Sequence, residues 1–232
     1  MSREPGNTRE WRCPKCGDDG FLLDEDGDAR ACECRSARLR RVRSSGGAAV
    51  IPRKYRGVSF DRSPVSDMHE PIVRPVRQFV RALDENLDGG RGLWIYGNVG
   101  TGKTTLAMLV SKAALDAGRS VAIYSLPRLL AEIRATFEAD GDGSYVSFLD
   151  RLAAVDLLHV DDVGAEKTSE WVLEQLYAIV NARYEEERSI VITTNLERDE
   201  LAGQINERTV SRLEEMCTVV PLFGEDARKQ VA

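Results

Sequence analysis

Gly92-Leu93-Trp94-Ile95-Tyr96-Gly97-Asn98-Val99-Gly100-Thr101-Gly102-Lys103-Thr104-Thr105-Leu106-Ala107 joins an apolar run, a glycine-rich turn and the start of a helical pattern. The turn fits G-x-x-x-x-G-K-[ST], and its place between a predicted strand and a predicted helix is the context that gives the motif meaning. Glycines let the backbone curl until successive N–H groups point inward at phosphate oxygens. The helix N-terminus adds partial positive charge at the same spot. Lys103 is expected to reach the β- and γ-phosphates, and the Thr104 hydroxyl to ligate Mg²⁺. Gly97, Asn98, Val99, Gly100, Thr101, Gly102, Lys103, Thr104 and Thr105 are therefore the predicted ATP-binding residues.

Working outward, Leu157-Leu158-His159-Val160-Asp161-Asp162 is an apolar strand that carries acids to its C-terminal edge. Beside a phosphate loop, Asp161 is expected to hold Mg²⁺ through its water shell. Asp162 stands where many such ATPases have a Glu that orients the attacking water. Its side chain is one methylene shorter, so slow intrinsic turnover is expected. His159 reads as a buried, satisfied histidine without a role.

The rest of the domain alternates strand-like and helical runs. Helices are predicted over 104–117, 127–138, 148–153, 169–187, 198–202 and 205–216. Strands are predicted over 121–124, 157–160, 189–193 and 218–222, in addition to 92–96. Such alternation implies a mostly parallel sheet covered on both faces, a three-layer α/β/α arrangement.

The 232 residues suffice for one α/β domain and a small extra module. No apolar run approaches the ~20 residues of a membrane span. The stretch from Met1 to Arg12 lacks a signal-peptide core, so a cytoplasmic location is expected. A formal charge of −6 excludes a uniformly basic nucleic-acid binder. The charge is uneven, however: Arg35 to Arg56 holds eight Arg or Lys and no acid. This run is either a solvated linker or a phosphate-contacting arm.

Four of the five cysteines fall in the first 34 residues: Cys13-Pro14-Lys15-Cys16, then Cys32-Glu33-Cys34. Two such knuckles suit a four-thiolate Zn²⁺ site. The segment between them, from Phe21 to Asp28, reads as a small hairpin with a polar tip. So small a module cannot bury enough apolar surface to fold alone, and structural zinc at about 10–16 kcal/mol would compensate. Cys217 stands apart in an apolar stretch and reads as core. The predicted organisation is a zinc module at 1–36, a basic linker at 37–56 and an ATPase domain at 57–232.

Two further stretches complete the pattern: Ser189-Ile-Val-Ile-Thr-Thr-Asn-Leu-Glu-Arg-Asp-Glu-Leu201 and Glu207-Arg-Thr-Val-Ser-Arg-Leu-Glu-Glu-Met-Cys217. Together with GNVGTGKTTLA at 97–107 and LLHVDDVGAEK at 157–167, they resemble the DnaC/DnaI-type replicative helicase loaders and the related IstB transposition helpers. The resemblance covers about three quarters of the chain. It implies an AAA+ ATPase that oligomerises with ATP and contacts single-stranded DNA. It also implies an N-terminal module that grips a DnaB-type hexameric helicase. By the same resemblance, Asn195 is a candidate sensor between the acidic pair and the γ-phosphate. Arg208 and Arg212, four apart on a predicted helix and so on one face, are candidate arginine fingers for a neighbouring subunit's ATP. Family loaders carry an extra helical element after the second strand, here Leu126 to Ala154. The sequence runs only a short way past Leu222, so a full C-terminal lid is not expected, and Arg228 resembles the family's terminal nucleotide sensor.

Each assignment has a simpler alternative: a strand-end turn residue for Asn195, solvated arginines paired with Glu207 or Glu215 for the fingers. For the whole chain the alternatives are an IstB-type helper that acts on duplex DNA with a transposase, a zinc-ribbon adaptor gated by nucleotide, and a small-molecule kinase. The Asn195, Arg208 and Arg212 arrangement gives the last no support.

Overall fold

The computed structural model describes Lys15 and residues 21–23, 29–31, 51–139, 142–165 and 169–224. The chain forms two compact units, residues 1–43 and 44–232. In the first, β1 (Phe21–Leu23) pairs antiparallel with β2 (Ala29–Ala31), Phe21 opposite Ala31, which is the expected hairpin. The four N-terminal cysteines lie outside the described residues.

The second unit is built on β3 (Gly92–Tyr96), β4 (Val121–Ser125), β5 (Leu157–Asp161), β6 (Ser189–Thr194) and β7 (Cys217–Pro221). All are parallel, in the order β4-β5-β6-β3-β7. Parallel neighbours need crossovers, and helices supply them. α1 (Glu70–Arg81) and α2 (Leu83–Asp88) precede β3, and the crossovers carry α3 (Lys103–Asp116), α4 (Leu126–Ala139), α5 (Asp142–Ala154), α6 (Glu170–Glu185), α7 (Arg198–Ile205) and α8 (Glu207–Met216).

Side chains alternate across a strand, so each strand feeds two cores. Leu93, Ile95, Leu157, Val191 and Val220 pack with Val73, Val76, Leu106 and Val110 of α1 and α3 on one face. Trp94, Leu158, Val160, Ile190 and Ile192 pack with Leu129, Phe148, Leu176, Ile179 and Leu213 of α4, α5, α6 and α8 on the other. Burial on both faces explains why the strands read as unbroken apolar runs.

Two helices were not predicted: α1 and α2, which precede the first sheet strand. Pro71 in the first turn and Pro75 inside α1 mask its pattern, yet Val73, Val76 and Phe79 are spaced as one buried stripe. Helix α5 begins at Asp142, well before the predicted 148. Its early residues lie in the Gly-Asp-Gly stretch that reads as a break.

Arg183 continues the apolar stripe of α6 and is fully buried. Its guanidinium donates to the carbonyl oxygens of Leu152 (2.6 Å), Ala153 (3.4 Å), Val155 (3.1 Å), Asp156 (3.3 Å) and Ser189 (2.5 Å). Burial pushes its pKa down to about 9, Arg188 adds to that, and Asp156 opposes it. The five carbonyls offset the desolvated charge and tie α5, α6 and the N-terminal edges of β5 and β6 together. The Asp156 carboxylate extends this clamp by accepting from the backbone N–H (2.9 Å) and hydroxyl (2.7 Å) of Ser120. The opposite, C-terminal edge of the sheet is thereby left for the site.

Candidate nucleotide site

The phosphate loop joins β3 to α3, and two of its glycines are required by geometry. Gly97 has φ +134°, and a Cβ there would lie 2.1 Å from the Leu222 carbonyl oxygen. Gly102, the residue before α3, has φ +100°, and a Cβ there would lie 2.3 Å from Met68 Cε. Side chains other than hydrogen fit neither position. Lys103 is buried at the start of α3, and its ammonium donates to the carbonyls of Gly97 (2.9 Å) and Asn98 (2.6 Å). Val99 is 57% exposed at the crest of the loop.

Asp161, the last residue of β5, is the point on which the site converges. Its Oδ1 accepts from Thr104 Oγ1 on α3 (3.0 Å) and from Thr193 Oγ1 on β6 (2.6 Å). Burial pushes the carboxyl pKa up, but the His159 imidazole and the Thr193 and Thr104 hydroxyls outweigh it and hold the pKa below the ordinary value. A hydroxyl and a carboxylate facing one another at a helix N-terminus form a hard-oxygen pair that suits Mg²⁺. Thr104 and Asp161 are thus brought together as predicted.

Asp162 is exposed and left-handed, with φ +59°. That conformation is costly for most residues and more tolerable for Asp. Thr193 holds the turn on both sides: its hydroxyl accepts from the Asp162 N–H (3.0 Å), and its carbonyl accepts from the Val163 N–H (2.8 Å).

The β6 residue bonded to Asp161 is Thr193, two positions before the expected sensor Asn195. Asn195 is exposed just beyond the strand. Thr194 is turned inward, and its carbonyl accepts from the Gly97 N–H at 3.3 Å, tying β6 to the phosphate loop. Strand register accounts for the contact: Val160 pairs with Ile192, which sets Thr193 beside Asp161.

The segment after β7 also packs on the loop. Leu222 N–H donates to the Tyr96 carbonyl (2.7 Å), Asn98 Nδ2 donates to the Gly224 carbonyl (3.3 Å), and Phe223 meets Tyr96 edge-on at 5.6 Å. Arg228, four residues on, lies outside the described residues.

The two arginines of α8 differ. Arg208 is exposed and makes no ion pair or hydrogen bond among the described residues. Arg212 is half-buried, its guanidinium 4.7 Å from the Tyr177 ring centre and 5.6 Å from that of Tyr184. Neither of the expected acids takes them: Glu207 pairs with Arg198, and Glu215 accepts from the Tyr184 hydroxyl at 2.6 Å. Arg198 also reaches Glu214 at 3.1 Å, fastening α7 to α8.

A parallel sheet in this order, with a phosphate loop after one inner strand and a magnesium-type acid at the end of another, defines an ATPase of the AAA+ class. The model of the IstB-like ATP binding protein family matches residues 38–232. The replicative helicase loader DnaC of Escherichia coli (strain K12) is 30% identical over 200 residues, covering 78% of this chain and 80% of the relative. The DnaC of Buchnera aphidicola subsp. Schizaphis graminum is 24% identical over 182 residues, 78% of this chain and 72% of the relative. A crystal structure of the DnaC helicase loader matches with a TM-score of 0.62 and 26% identity, covering 74% of this chain and 99% of that one. The chain belongs to the IstB-like ATP-binding protein family, as an AAA+ ATPase of the DnaC type.

Among the described residues, no helix is long and apolar enough to cross a membrane, and no group of three or more His, Cys, Asp or Glu side chains could hold a metal.

Proposed function

We propose that this chain is an ATP-dependent loader of the replicative helicase onto single-stranded DNA. The observation that carries the reading is the convergence of Thr104 and Thr193 on Asp161 in a chain 30% identical to a replicative helicase loader. Lys103 and the loop N–H groups bind the phosphates, while Thr104 and Asp161 hold Mg²⁺, which would neutralise charge on the phosphates when bound. Asp162 orients the attacking water, and Asn195 reports on the γ-phosphate. Arg208 or Arg212 completes the site of an adjacent subunit, so hydrolysis depends on assembly. Arg228 reaches the same nucleotide along the segment that already packs on Asn98.

Helices α4 and α5 face the DNA in this reading. The rings of Phe137 and Tyr145 stack there at 4.5 Å, and Val146 beside them is 54% exposed. Unpaired bases stack on such surfaces without sequence preference. Residues 1–36 form the helicase grip around zinc held by Cys13, Cys16, Cys32 and Cys34. Residues 37–56 are a basic linker, and residues 57–232 form the ATPase domain. Metal analysis of the purified chain should find about one zinc per chain; a folded, metal-free N-terminus would refute the zinc assignment.

A second reading is a transposition helper of the IstB type that acts on duplex DNA, in keeping with the match to the IstB-like ATP binding protein family over residues 38–232. Binding of labelled single-stranded and duplex oligonucleotides, with a non-hydrolysable ATP analogue, separates the two. Preference for the single strand supports the loader; preference for the duplex supports the helper.

A further inference from the structure

His159 lies on β5 two residues before Asp161, on the same face of the strand, and is wholly buried. Its Nδ1 is 2.9 Å from Ser111 Oγ on α3, and that hydroxyl oxygen is also 3.0 Å from the Ala107 carbonyl oxygen. Its Nε2 is buried with no hydrogen-bond partner among the described residues, 3.9 Å from Asp161 Oδ1. A neutral imidazole carries one proton, so two arrangements exist. In the first, Ser111 donates to Ala107 and His159 Nδ1–H donates to Ser111. A bare Nε2 lone pair then faces a carboxylate inside the protein, where such repulsion is strongest. In the second, Ser111 donates to Nδ1, and Nε2 carries its proton 3.9 Å from Oδ1. The Ala107 carbonyl loses nothing essential, because it belongs to the α3 ladder. The second arrangement replaces a buried repulsion with an attraction.

We propose that His159 is a positioning residue for the magnesium-binding acid: Ser111 fixes its Nε2–H tautomer, and Nε2–H steadies Asp161 through Oδ1. Oδ1 then gathers Thr104, Thr193 and His159. Oδ2, which has no hydrogen bond among the described residues, is left for the metal. Outer groups that orient a metal's carboxylate commonly change metal affinity 10- to 100-fold when removed. This inference rests on the proposed ATP site only for its magnesium arm.

The chain has two histidines, His69 and His159, so the tautomer can be read directly. Long-range proton–nitrogen correlation spectra of the full chain labelled at histidine nitrogen, with His69→Asn for assignment, should show Nε2 protonated and Nδ1 bare. An unprotonated Nε2 overturns the proposal. The second arm measures the Mg²⁺ required for a fluorescent ATP analogue to bind. His159→Asn, whose amide reaches only the place of Nδ1, should raise that requirement about tenfold. His159→Gln, whose amide N–H reaches the place of Nε2–H, should restore it to within about threefold of wild type. Equal magnesium dependence in wild type and His159→Asn overturns the proposal. A wild-type chain that binds no nucleotide removes the proposed function instead, and the tautomer then decides this inference alone.

Discussion

Replacing Thr193 with Val keeps side-chain volume but removes one hydroxyl, and the structure states what that hydroxyl does. It donates to Asp161 Oδ1 at 2.6 Å and accepts from the Asp162 N–H at 3.0 Å, in a side chain fully shielded from water. A hydrogen bond to a charged group contributes about 1.5–3 kcal/mol and a neutral one about 0.5–1.5. The methyl that replaces the hydroxyl returns about 0.8 kcal/mol of burial. The net expected loss is about 2–3 kcal/mol, which in a domain of this size lowers Tm by roughly 5–10 °C. Asp161 has a depressed pKa in the fold, so its contribution is fully present above the ordinary carboxylate value of 3.8 and is lost as pH falls through the lower folded value. The gap between wild type and Thr193→Val should therefore be constant near neutrality and narrow in acid below that value. Urea unfolding of nucleotide-free protein at pH 7 and across the acid range measures both. A variant as stable as wild type at pH 7, or a gap that widens in acid, would refute the role given to Thr193.

Arg183→Met leaves five carbonyl oxygens without their donor and should cost about 3–5 kcal/mol in chemical denaturation, even though it removes a buried charge. An unchanged midpoint would show that the clamp contributes nothing. Arg208→Ala should change stability by less than about 0.5 kcal/mol, whereas Arg212→Ala should lose about 1 kcal/mol of contact with the Tyr177 ring. If Arg208 is the finger, its variant alone combines normal stability with a loss of hydrolysis of about a thousandfold or more. Lys103→Ala should abolish nucleotide-dependent assembly in light scattering; assembly that still responds to ATP would remove the neighbour-contact scheme.

The inner strands β3, β5 and β6 were legible because burial on both faces makes them mostly apolar, with His159 and the threonines at the end of β6 as exceptions. The phosphate loop was legible because positive φ dictates Gly97 and Gly102, with the Leu222 backbone also crowding Gly97. Helix α1 was not read, because Pro71 and Pro75 signal a break while tertiary packing of Val73, Val76 and Phe79 overrides them. Asp161 stood out as an acid at the end of an apolar strand, whereas its hydroxyl partner on β6 depends on strand register. A polar trio at a strand end does not reveal which member turns toward the neighbouring strand, so the contact of Thr193 with Asp161 was not legible. Arg183 was not singled out and His159 was read only as a buried histidine, for one shared reason. Each is a polar residue on an apolar stripe, and its role appears only when distant carbonyls or a helix hydroxyl are brought beside it. The roles proposed for Arg208, Arg212 and Asn195 involve a neighbouring subunit or a nucleotide, and no pattern within one chain encodes those contacts.

The most direct test of the loader assignment is size-exclusion chromatography with light scattering of this chain mixed with its host's replicative helicase and a non-hydrolysable ATP analogue. The account predicts a defined co-complex that is lost when residues 1–36 are deleted. Two separate peaks under conditions where the chain binds nucleotide would contradict it.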